Sequence, residues 1–567
     1  MAGENRDDRI ERPWLARYPK GVPPNLDYPD VPLQAYLDWA AEKYPDTIAT
    51  IFMGGKLTYR KLKELADRFA RGLVDLGLKP GDRVALMLPN CPQFVIAFFG
   101  TLKAGCVVTA VNPLYMEREL EFQLLDCQAK AIIALDLVYR RVAKVRPATA
   151  LKHVIVTRIS DYLPWILSKL YPLKAKREKT WVEIPPSDNV LWFKSLLARS
   201  APIPPKVEAP PADDVALLQY TGGTTGLSKG AMLTHRNLLA NALQVKSWLV
   251  EVHEGKERML SVLPFFHVYG MTVDMNMSVV SASTMILQPR FSIADVLKAI
   301  DHLKPTLFPG APTMYVGVIN HPDVKKYNLS SITACISGSA PLPVEVQQRF
   351  EAMTGAKLVE GYGLTEASPV THCNPIWEER RAGSIGLPFP DTDCCVMDLE
   401  TGTRVLPPGE VGELVVRGPQ VMKGYWQRPE ENAVALRDGW LYTGDLAKMD
   451  EDGYFYIVDR IKDMIISGGY NIYPRDVEEV LYEHPKVKEA AIIGVPDEYR
   501  GEAVKAFVVL KDGEKATEQE IIDFCRAKMA KYKAPREVEF RSELPKTIVG
   551  KVLRRRLAEE ERARREA

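Results

Sequence analysis

The stretch TGGTTGLSKG, residues 221–230, follows directly on the apolar run VALLQY, residues 215–220. A chain that leaves an apolar strand through such a loop can aim several backbone N–H groups at one anion, because glycine admits the turns this requires. Thr221, Thr224 and Thr225 add hydroxyl donors, and Lys229 adds a positive charge. The segment Thr221, Gly222, Gly223, Thr224, Thr225, Gly226 and Lys229 reads as a phosphate cradle, against the plainer reading of a flexible turn. It is not a Walker loop. That motif needs lysine immediately after its last glycine, and here Leu227 and Ser228 separate Gly226 from Lys229.

At 567 residues the chain exceeds what one hydrophobic core supports, and its 46% apolar content is ample to fill several. Its 74 basic side chains balance 73 acidic ones, so no long-range field draws nucleic acid, and any polyanion contact is local. The eight cysteines show no CxxC spacing; their only close pair is Cys394 and Cys395, and they read as reduced, buried small hydrophobes. The start, MAGENRDDRIERPW, lacks an apolar signal core, and no stretch approaches 18 uncharged apolar residues. The expectation is a cytoplasmic protein.

Helical and strand patterns alternate from about residue 57: a helix over 58–76, a strand over 83–88, a helix over 92–104 and a strand over 107–110. Such alternation predicts βα units on a mostly parallel sheet. Pro202, Pro204, Pro205, Pro210 and Pro211 mark an extended connector before the glycine-rich loop. A second alternating block runs to about residue 374, with buried strands expected at 306–308 and 334–336. Past residue 380 short strands separated by Gly and Pro suggest a small β-barrel or sandwich. After residue 460 an α+β pattern begins: helix 476–482, strands 489–495 and 503–510, helix 518–529. The charge-rich end, 552–567, reads as a solvated helix or tail.

Four further segments, the first of them in two parts, carry more special residues than packing requires. SGSAPLP at 337–343 is a small-residue turn after a strand, and EGYGLTEAS follows at 360–368. Small residues permit close approach of a flat ring, Tyr362 offers a face to stack on, and Glu366 suits a divalent cation near phosphates. A surface or cap carboxylate is the plainer reading of Glu366. In WLYTGD, 440–445, Asp445 is suited to grip the two hydroxyls of a ribose, or is simply a turn aspartate. VDRIKDMIISGGYNIYP, 458–474, places Asp459, Arg460 and Lys462 between two domains and then supplies Gly468 and Gly469, where a ligand can lie close; an ordinary charged linker with a hairpin is the alternative. LPKTIVGKVLRR, 544–555, carries Lys551 after a glycine, where most lysines are spectators.

Taken in order, YTGGTTGLSKG, EGYGLTEAS, YTGD, DRIKD followed by SGGYNIYP, and PKTIVGK resemble the adenylate-forming superfamily of acyl-CoA synthetases, luciferases and peptide-synthetase adenylation domains. The segment DGWLYTGDLAKMDEDGYFYIVDRIKDMIISGGYNIYPRDVEEVL is similar to the signature of bacterial long-chain fatty acid CoA ligases. The likeness spans about residues 33–555. It implies an α/β and α+β multidomain fold: an N-terminal portion, 1–459, with α/β subdomains at about 33–200 and 212–375 and a β-barrel at 380–459, then a mobile α+β lid at 460–567.

The resemblance also implies a two-step reaction in which ATP and a fatty acid yield acyl-adenylate and pyrophosphate, and coenzyme A then displaces AMP. Thr221 to Lys229 would hold the β- and γ-phosphates, with Glu366 and Thr224 or Thr225 near Mg²⁺. Gly338, Ser339, Ala340, Pro341 and Tyr362 would border adenine, with Glu360, Gly361, Gly363 and Thr365 in the same nucleotide site. Asp445 and Arg460 would meet the ribose, and Gly468 and Gly469 the nucleotide. Lys551 would bridge the fatty carboxylate and the α-phosphate, and Lys462 matches the hinge of the lid. Ser228 departs from the pattern, standing where many relatives have proline.

PFFHVYG, 264–270, is similar to the superfamily's aromatic and histidine segment beside the carboxylate end of the acid, which makes His267, Tyr269 and Gly338 substrate candidates and puts Trp248 or Tyr269 on an acyl tunnel. Without the resemblance His267 reads as a satisfied structural histidine. The segment DYLPWILSKLYPLKAKREK, 161–179, has a composition suited to an anionic membrane surface; the plain alternative is a surface helix that packs its Trp and Leu side chains on the protein and is broken by Pro172. Relatives make a homodimer an expectation. The rival readings are another adenylate-former, such as a medium-chain or aryl acid CoA ligase or a fatty acyl-AMP ligase, and a non-catalytic fatty acid or nucleotide sensor, which intact Lys551, Glu366 and Asp445 oppose.

Overall fold

The computed structural model describes residues 11–187, 189–221, 228–467, 470–497, 500–547 and 550–566. The chain divides into two compact units, a larger one of Tyr18–Asp393 and Arg417–Leu441 and a smaller one of Met1–Arg17, Cys394–Val416 and Tyr442–Ala567. Residue 460, the linear boundary expected from the sequence, lies within the smaller unit.

In the larger unit, local patterns became elements for identifiable reasons. The helix Tyr59–Asp75 starts where the Thr58 hydroxyl accepts from the Lys61 amide at 3.3 Å, buries Leu62, Leu65, Ala66, Phe69 and Leu73 at helical spacing, and ends before Gly77 at φ +84°. The helix Pro92–Lys103 begins on proline and is buried on nearly every face, as its all-round apolar sequence requires.

An eight-stranded sheet runs in the order Gly424–Tyr425, Lys229–Thr234, Val215–Thr221, Val107–Ala110, Arg83–Met87, Ala131–Leu135, His153–Thr157, Val190–Trp192. Its last six strands are parallel. Two four-stranded sheets, one containing Arg258–Ser261 and the other Ala334–Ser337, are joined by bridges through Leu307. The strand expected at 306–308 is thus a single bridging position.

In the smaller unit the strands Val487–Asp497 and Gly501–Leu510 form a long antiparallel pair, extended by Ile465–Ser467, Tyr470–Ile472 and the parallel strand Glu537–Phe540. The helices Pro474–Tyr482 and Glu518–Lys528 pack on a core that includes Ile492, Val508 and Ile521. A separate five-stranded sheet holds Trp440–Met449 and Phe455–Arg460 side by side.

Two expectations are corrected. The terminal helix Arg554–Glu566 is not merely a solvated face: Leu557 is fully buried against Phe507 and Val509, and the buried Lys505 ammonium bonds Glu561 at 2.8 Å and Glu539 at 3.0 Å. Pro172 does not break its segment but lies inside the helix Trp165–Arg177, in its second half, and the large apolar side chains there are exposed rather than packed on the protein. All eight cysteines are buried thiols outside any disulfide. Among the described residues no helix is long and apolar enough to cross a membrane.

Candidate active site

Two antiparallel strands flank the glycine-rich segment. Val215–Thr221 and Lys229–Thr234 pair antiparallel with Thr221 opposite Lys229. Gly222, Gly223, Thr224, Thr225 and Gly226 lie outside the described residues. Because Val215–Thr221 runs parallel to Val107–Ala110, Thr221 stands at the carboxyl end of the parallel strands, the edge where open α/β sheets bind ligands. The Ser228 hydroxyl donates to the Thr221 carbonyl and closes the hairpin base, so the residue that departs from the family pattern contributes a bond of its own.

Beneath the hairpin, Asp126 accepts from the Tyr220 hydroxyl at 2.6 Å and from the Arg428 guanidinium at 2.6 Å. The strand Gly424–Tyr425 adds to the outer edge of Lys229–Thr234, with Tyr425 opposite Ala231. Tyr425 is held by Asn432, whose Oδ1 accepts the Tyr425 amide at 2.6 Å and whose Nδ2 donates to its carbonyl at 3.1 Å. Its hydroxyl donates to Glu366 Oε1 at 2.6 Å, and the Lys229 ammonium lies 5.2 Å from its ring centroid and 3.8 Å from Glu431. Burial and the Glu366 charge drive the Tyr425 pKa up, so the phenol stays a donor. One tyrosine therefore orients both the carboxylate and the lysine singled out in the sequence.

The adenine candidates sit on adjacent parallel strands. Ala334–Ser337 pairs with Lys357–Gly363, Ser337 opposite Glu360, and each strand runs out into its motif. A Cβ at Gly338 would lie 3.0 Å from the Tyr269 ring, and one at Gly363 only 2.2 Å from the Pro369 carbonyl, so both glycines answer close approaches. Ser339 has φ +70°. Glu360 is buried and accepts from the Leu342 amide at 3.1 Å, which folds the turn containing Ala340 and Pro341 back onto the strand. Tyr362 is half-buried with its ring edge-on to His372, centroids 5.9 Å apart. Gly361 precedes it in the strand, and Thr365 opens the short turn Thr365–Ala367 that presents Glu366.

Tyr269 is buried and donates to the Ile336 carbonyl at 2.8 Å. His267 accepts from the Tyr269 amide through Nδ1 at 3.2 Å. Trp248 is fully buried and donates to the Asn374 carbonyl at 3.1 Å.

The smaller unit gathers the remaining candidates. Asp445 and Arg460 face each other across Trp440–Met449 and Phe455–Arg460, with Arg460 Nε 3.2 Å from Asp445 Oδ1. Gly444, at φ +73°, donates to Glu413 at 2.9 Å, and the Thr443 hydroxyl donates to the Leu414 carbonyl at 2.7 Å, so the turn before Asp445 is fixed on both sides.

Lys551 follows a turn tied by Gly550 to the Thr547 carbonyl and by Thr547 to the Lys551 carbonyl. Stripping of water by surrounding protein, and then the Arg460 and Lys462 cations, push the Lys551 pKa down to about 8 against the pull of Asp445 and Asp463. The residue nevertheless remains exposed, and solvent access tempers the depression. Lys462 is exposed in the turn Ile461–Asp463, while Gly468 and Gly469 lie outside the described residues.

Sequence reasoning missed the anchor of this lysine. Arg554, three residues on, bonds Glu478 through two nitrogens at 2.7 and 3.2 Å and lies 3.3 Å from Asp463 and 3.7 Å from Asp459. It also missed Tyr425, Asp126 and Arg428, which no motif or periodicity singles out.

The larger unit carries small-residue turns at parallel strand ends, with Lys229 and Glu366 on one tyrosine, and the smaller unit a paired Asp and Arg, and each set is what an adenylate-forming protein requires. The AMP-binding enzyme family matches residues 37–426, and the AMP-binding enzyme C-terminal domain matches residues 476–551. The chain belongs to the AMP-binding enzyme family. It is 52% identical over 554 residues to a long-chain-fatty-acid–CoA ligase of Bacillus subtilis (strain 168), covering 97% of this chain and 98% of that one. It is 43% identical over 564 residues to a long-chain-fatty-acid–CoA ligase of Salmonella typhimurium, covering 98% and 99%. The crystal structure of ATP-bound MatB from Rhodopseudomonas palustris superposes with a TM-score of 0.83 at 30% identity, over 94% of this chain and 99% of that one.

Proposed function

We propose that the chain is an ATP-dependent, AMP-forming long-chain fatty acid CoA ligase. The observation that carries this reading is 52% identity, sustained over 97% of the chain, to a relative named for that activity. In the first step a fatty carboxylate oxygen attacks the α-phosphorus of ATP, the bond to the bridging oxygen breaks, and pyrophosphate leaves. In the second, the thiol of coenzyme A gives up its proton and attacks the acyl carbonyl carbon, and AMP departs.

Thr221 and Lys229, with residues 222–226, hold the β- and γ-phosphates. The turn Gly338, Ser339, Ala340, Pro341 and the strand end Glu360, Gly361, Tyr362, Gly363 border adenine, with Thr365 beside them. Asp445, oriented by Arg460, accepts the ribose hydroxyls. Lys551 supplies positive charge where negative charge accumulates between carboxylate and α-phosphate, and Lys462 is the pivot used between the half-reactions. His267, Tyr269 and Gly338 bound the carboxylate end of the acid.

Mg²⁺ fits this arrangement as an ion carried by the nucleotide. Among the described residues no group of three or more His, Cys, Asp or Glu side chains is placed to hold a metal, and Glu366 offers the single carboxylate that such a phosphate-bound ion needs. When bound, it neutralises charge on the phosphates.

Burial of a palmitoyl tail, at ~0.8 kcal/mol per methylene, gives roughly 10 kcal/mol of gross driving force. Pyrophosphate release and product mass are to be measured with acids of increasing chain length, with and without coenzyme A. Long-chain acyl-CoA and AMP are expected. A maximum at acetate or an aryl acid would overturn the long-chain assignment, and acyl-AMP that persists despite coenzyme A would make the chain an acyl-AMP ligase.

A further inference from the structure

We propose that Asp126 is a positioning residue that sets the two strands flanking the glycine-rich segment, and through them the affinity for the β- and γ-phosphates of ATP. This deepens the ligase reading and rests on its assignment of Thr221 and Lys229 to those phosphates. Three donors converge on Asp126, all within the larger unit. One carboxylate oxygen accepts from the Tyr220 hydroxyl at 2.6 Å, the other from the Arg428 guanidinium at 2.6 Å, and the Asp126 carbonyl accepts from the Trp426 indole at 3.1 Å. Tyr220 directly precedes Thr221, and the Trp426 amide donates at 2.8 Å to the carbonyl of Gly230, which directly follows Lys229.

Local sequence explains how Tyr220 reaches the carboxylate. It stands opposite Gly230 across the strand pair, and a Cβ at Gly230 would lie 3.1 Å from the ring, so the missing side chain lets the phenol lie across the neighbouring strand. Tyr220 is buried, and burial above all drives its pKa up, so its hydroxyl donates rather than ionises. On the other side, Gly424–Tyr425 pairs with Lys229–Thr234, and Arg428 lies three residues past Tyr425. Arg428 also caps the helix Pro429–Ala435, which carries Glu431 to 3.8 Å from the Lys229 ammonium. The strand that ends in Thr221 and the strand that begins with Lys229 are thus tied to one point on a helix, Glu117–Asp126, that belongs to neither.

Packing alone does not select a carboxylate there. Asp126 is the last residue of its helix, where the terminal carbonyls oppose negative charge. Its side chain is only 10% exposed, so the charge needs partners, and the Arg428 guanidinium supplies a cation. Asparagine would fill the same space without opposing the helix dipole, but it offers one oxygen where two donors from separate strands must be met. The partners lie 94 and 302 positions away in the chain, so the carboxylate joins segments that only the fold brings together. AMP lacks the β- and γ-phosphates. A shift of the two flanking strands therefore weakens ATP and spares AMP, whereas a general loss of structure weakens both.

The test compares binding of MgATP and of AMP to the full chain by titration calorimetry. Asp126→Asn is expected to weaken MgATP about tenfold, as loss of a hydrogen bond to a charged group does, and to leave AMP affinity unchanged. Tyr220→Phe, which removes only the hydroxyl, should show the same selectivity at smaller amplitude, and it decides the matter if Asp126→Asn fails to fold. The double variant should lose less than the product of the two single losses, because the hydroxyl acts through the carboxylate. Equal losses for MgATP and AMP, or unaltered MgATP affinity in both single variants, would overturn the proposal. Acyl-CoA formation by the wild type separates it from the ligase reading. Weakened MgATP binding by the variants of a chain that makes no acyl-CoA would sink that reading alone, and normal MgATP binding by the variants of an active ligase would sink the proposal alone.

Discussion

The hydroxyl of Tyr425 donates a 2.6 Å hydrogen bond to Oε1 of Glu366. The two residues are 59 positions apart in the chain, and they meet because the two-residue strand Gly424–Tyr425 adds to the edge of the hairpin that carries Lys229. The same ring lies under the Lys229 ammonium, so removing the hydroxyl frees the carboxylate without removing the ring.

Tyr425→Phe is expected to cut pyrophosphate release about tenfold, mainly by raising KM for MgATP, since a hydrogen bond to a charged group contributes ~1.5–3 kcal/mol. Tyr425→Ala, which also withdraws the ring from Lys229, should lose more. Initial rates over a range of MgATP concentrations check this, and a Phe variant with unaltered kinetics would remove Tyr425 from the site.

Lys551→Ala should lower adenylation by ~10² to 10³ while sparing thioester formation from preformed acyl-adenylate. Equal losses in both steps would refute the assignment. Because the Lys551 pKa is pushed down to about 8, its ammonium is present below that pH and lost above it. The adenylation rate should show an alkaline limb with its midpoint at or above about 8 and below the ordinary lysine value, displaced upward in Lys551→Arg.

Arg554→Ala leaves Glu478, Asp459 and Asp463 facing one another without their shared cation. Removing one partner of a largely buried ion network costs ~3–5 kcal/mol, and the turn bearing Lys551 loses its downstream anchor. Calorimetry should show a destabilised smaller unit, with adenylation falling alongside it. Arg554→Lys should recover little, since a single ammonium cannot bond Glu478 through two nitrogens as the guanidinium does.

Asp274 lies fully buried in the segment Gly270–Asn276, and among the described residues neither carboxyl oxygen has a hydrogen-bond partner of ordinary geometry. Burial raises its pKa well above the usual range, with only the Leu263 backbone favouring the ionised form. Folding therefore takes up a proton once pH exceeds the unfolded value of about 3.9, and stability falls as pH rises from there towards the folded pKa. Asp274→Asn should raise the melting temperature at pH 7 and do so progressively less as pH approaches 4. Equal effects at both pH values would show that Asp274 does not titrate on folding.

Lys462→Pro should damage one half-reaction and spare the other, because a pivot must absorb a large backbone rotation. Single-turnover assays of adenylation and of thioester formation separate the two, and a variant competent in both would locate the pivot elsewhere.

Much of this protein was legible along the chain. The helix beginning at Thr58 and the strand Val107–Ala110 declare themselves through a cap and through apolar patterning, which act over a few residues. The five motifs were legible for a different reason: each is a short run whose glycines and hydroxyls have a chemical use that packing does not require. The terminal helix was misjudged because its charges, read locally, suit solvent. In the fold, Glu561 meets the buried Lys505 from 56 residues away, and burial turns a surface-like pattern into a structural one.

The sequence by itself determined the class of fold, the order of the site segments and the chemistry each can offer, since those depend on residue type and near-neighbour spacing. Only the tertiary structure decided which groups hold the chemical ones in place. Tyr425 reaches Glu366 through a strand at a sheet edge, Arg554 draws together carboxylates from two separate segments, and the face of Trp165–Arg177 left open is set by which side the rest of the unit covers. Each of these pairings joins residues distant in the chain, and such contacts exist only after the intervening segments have folded.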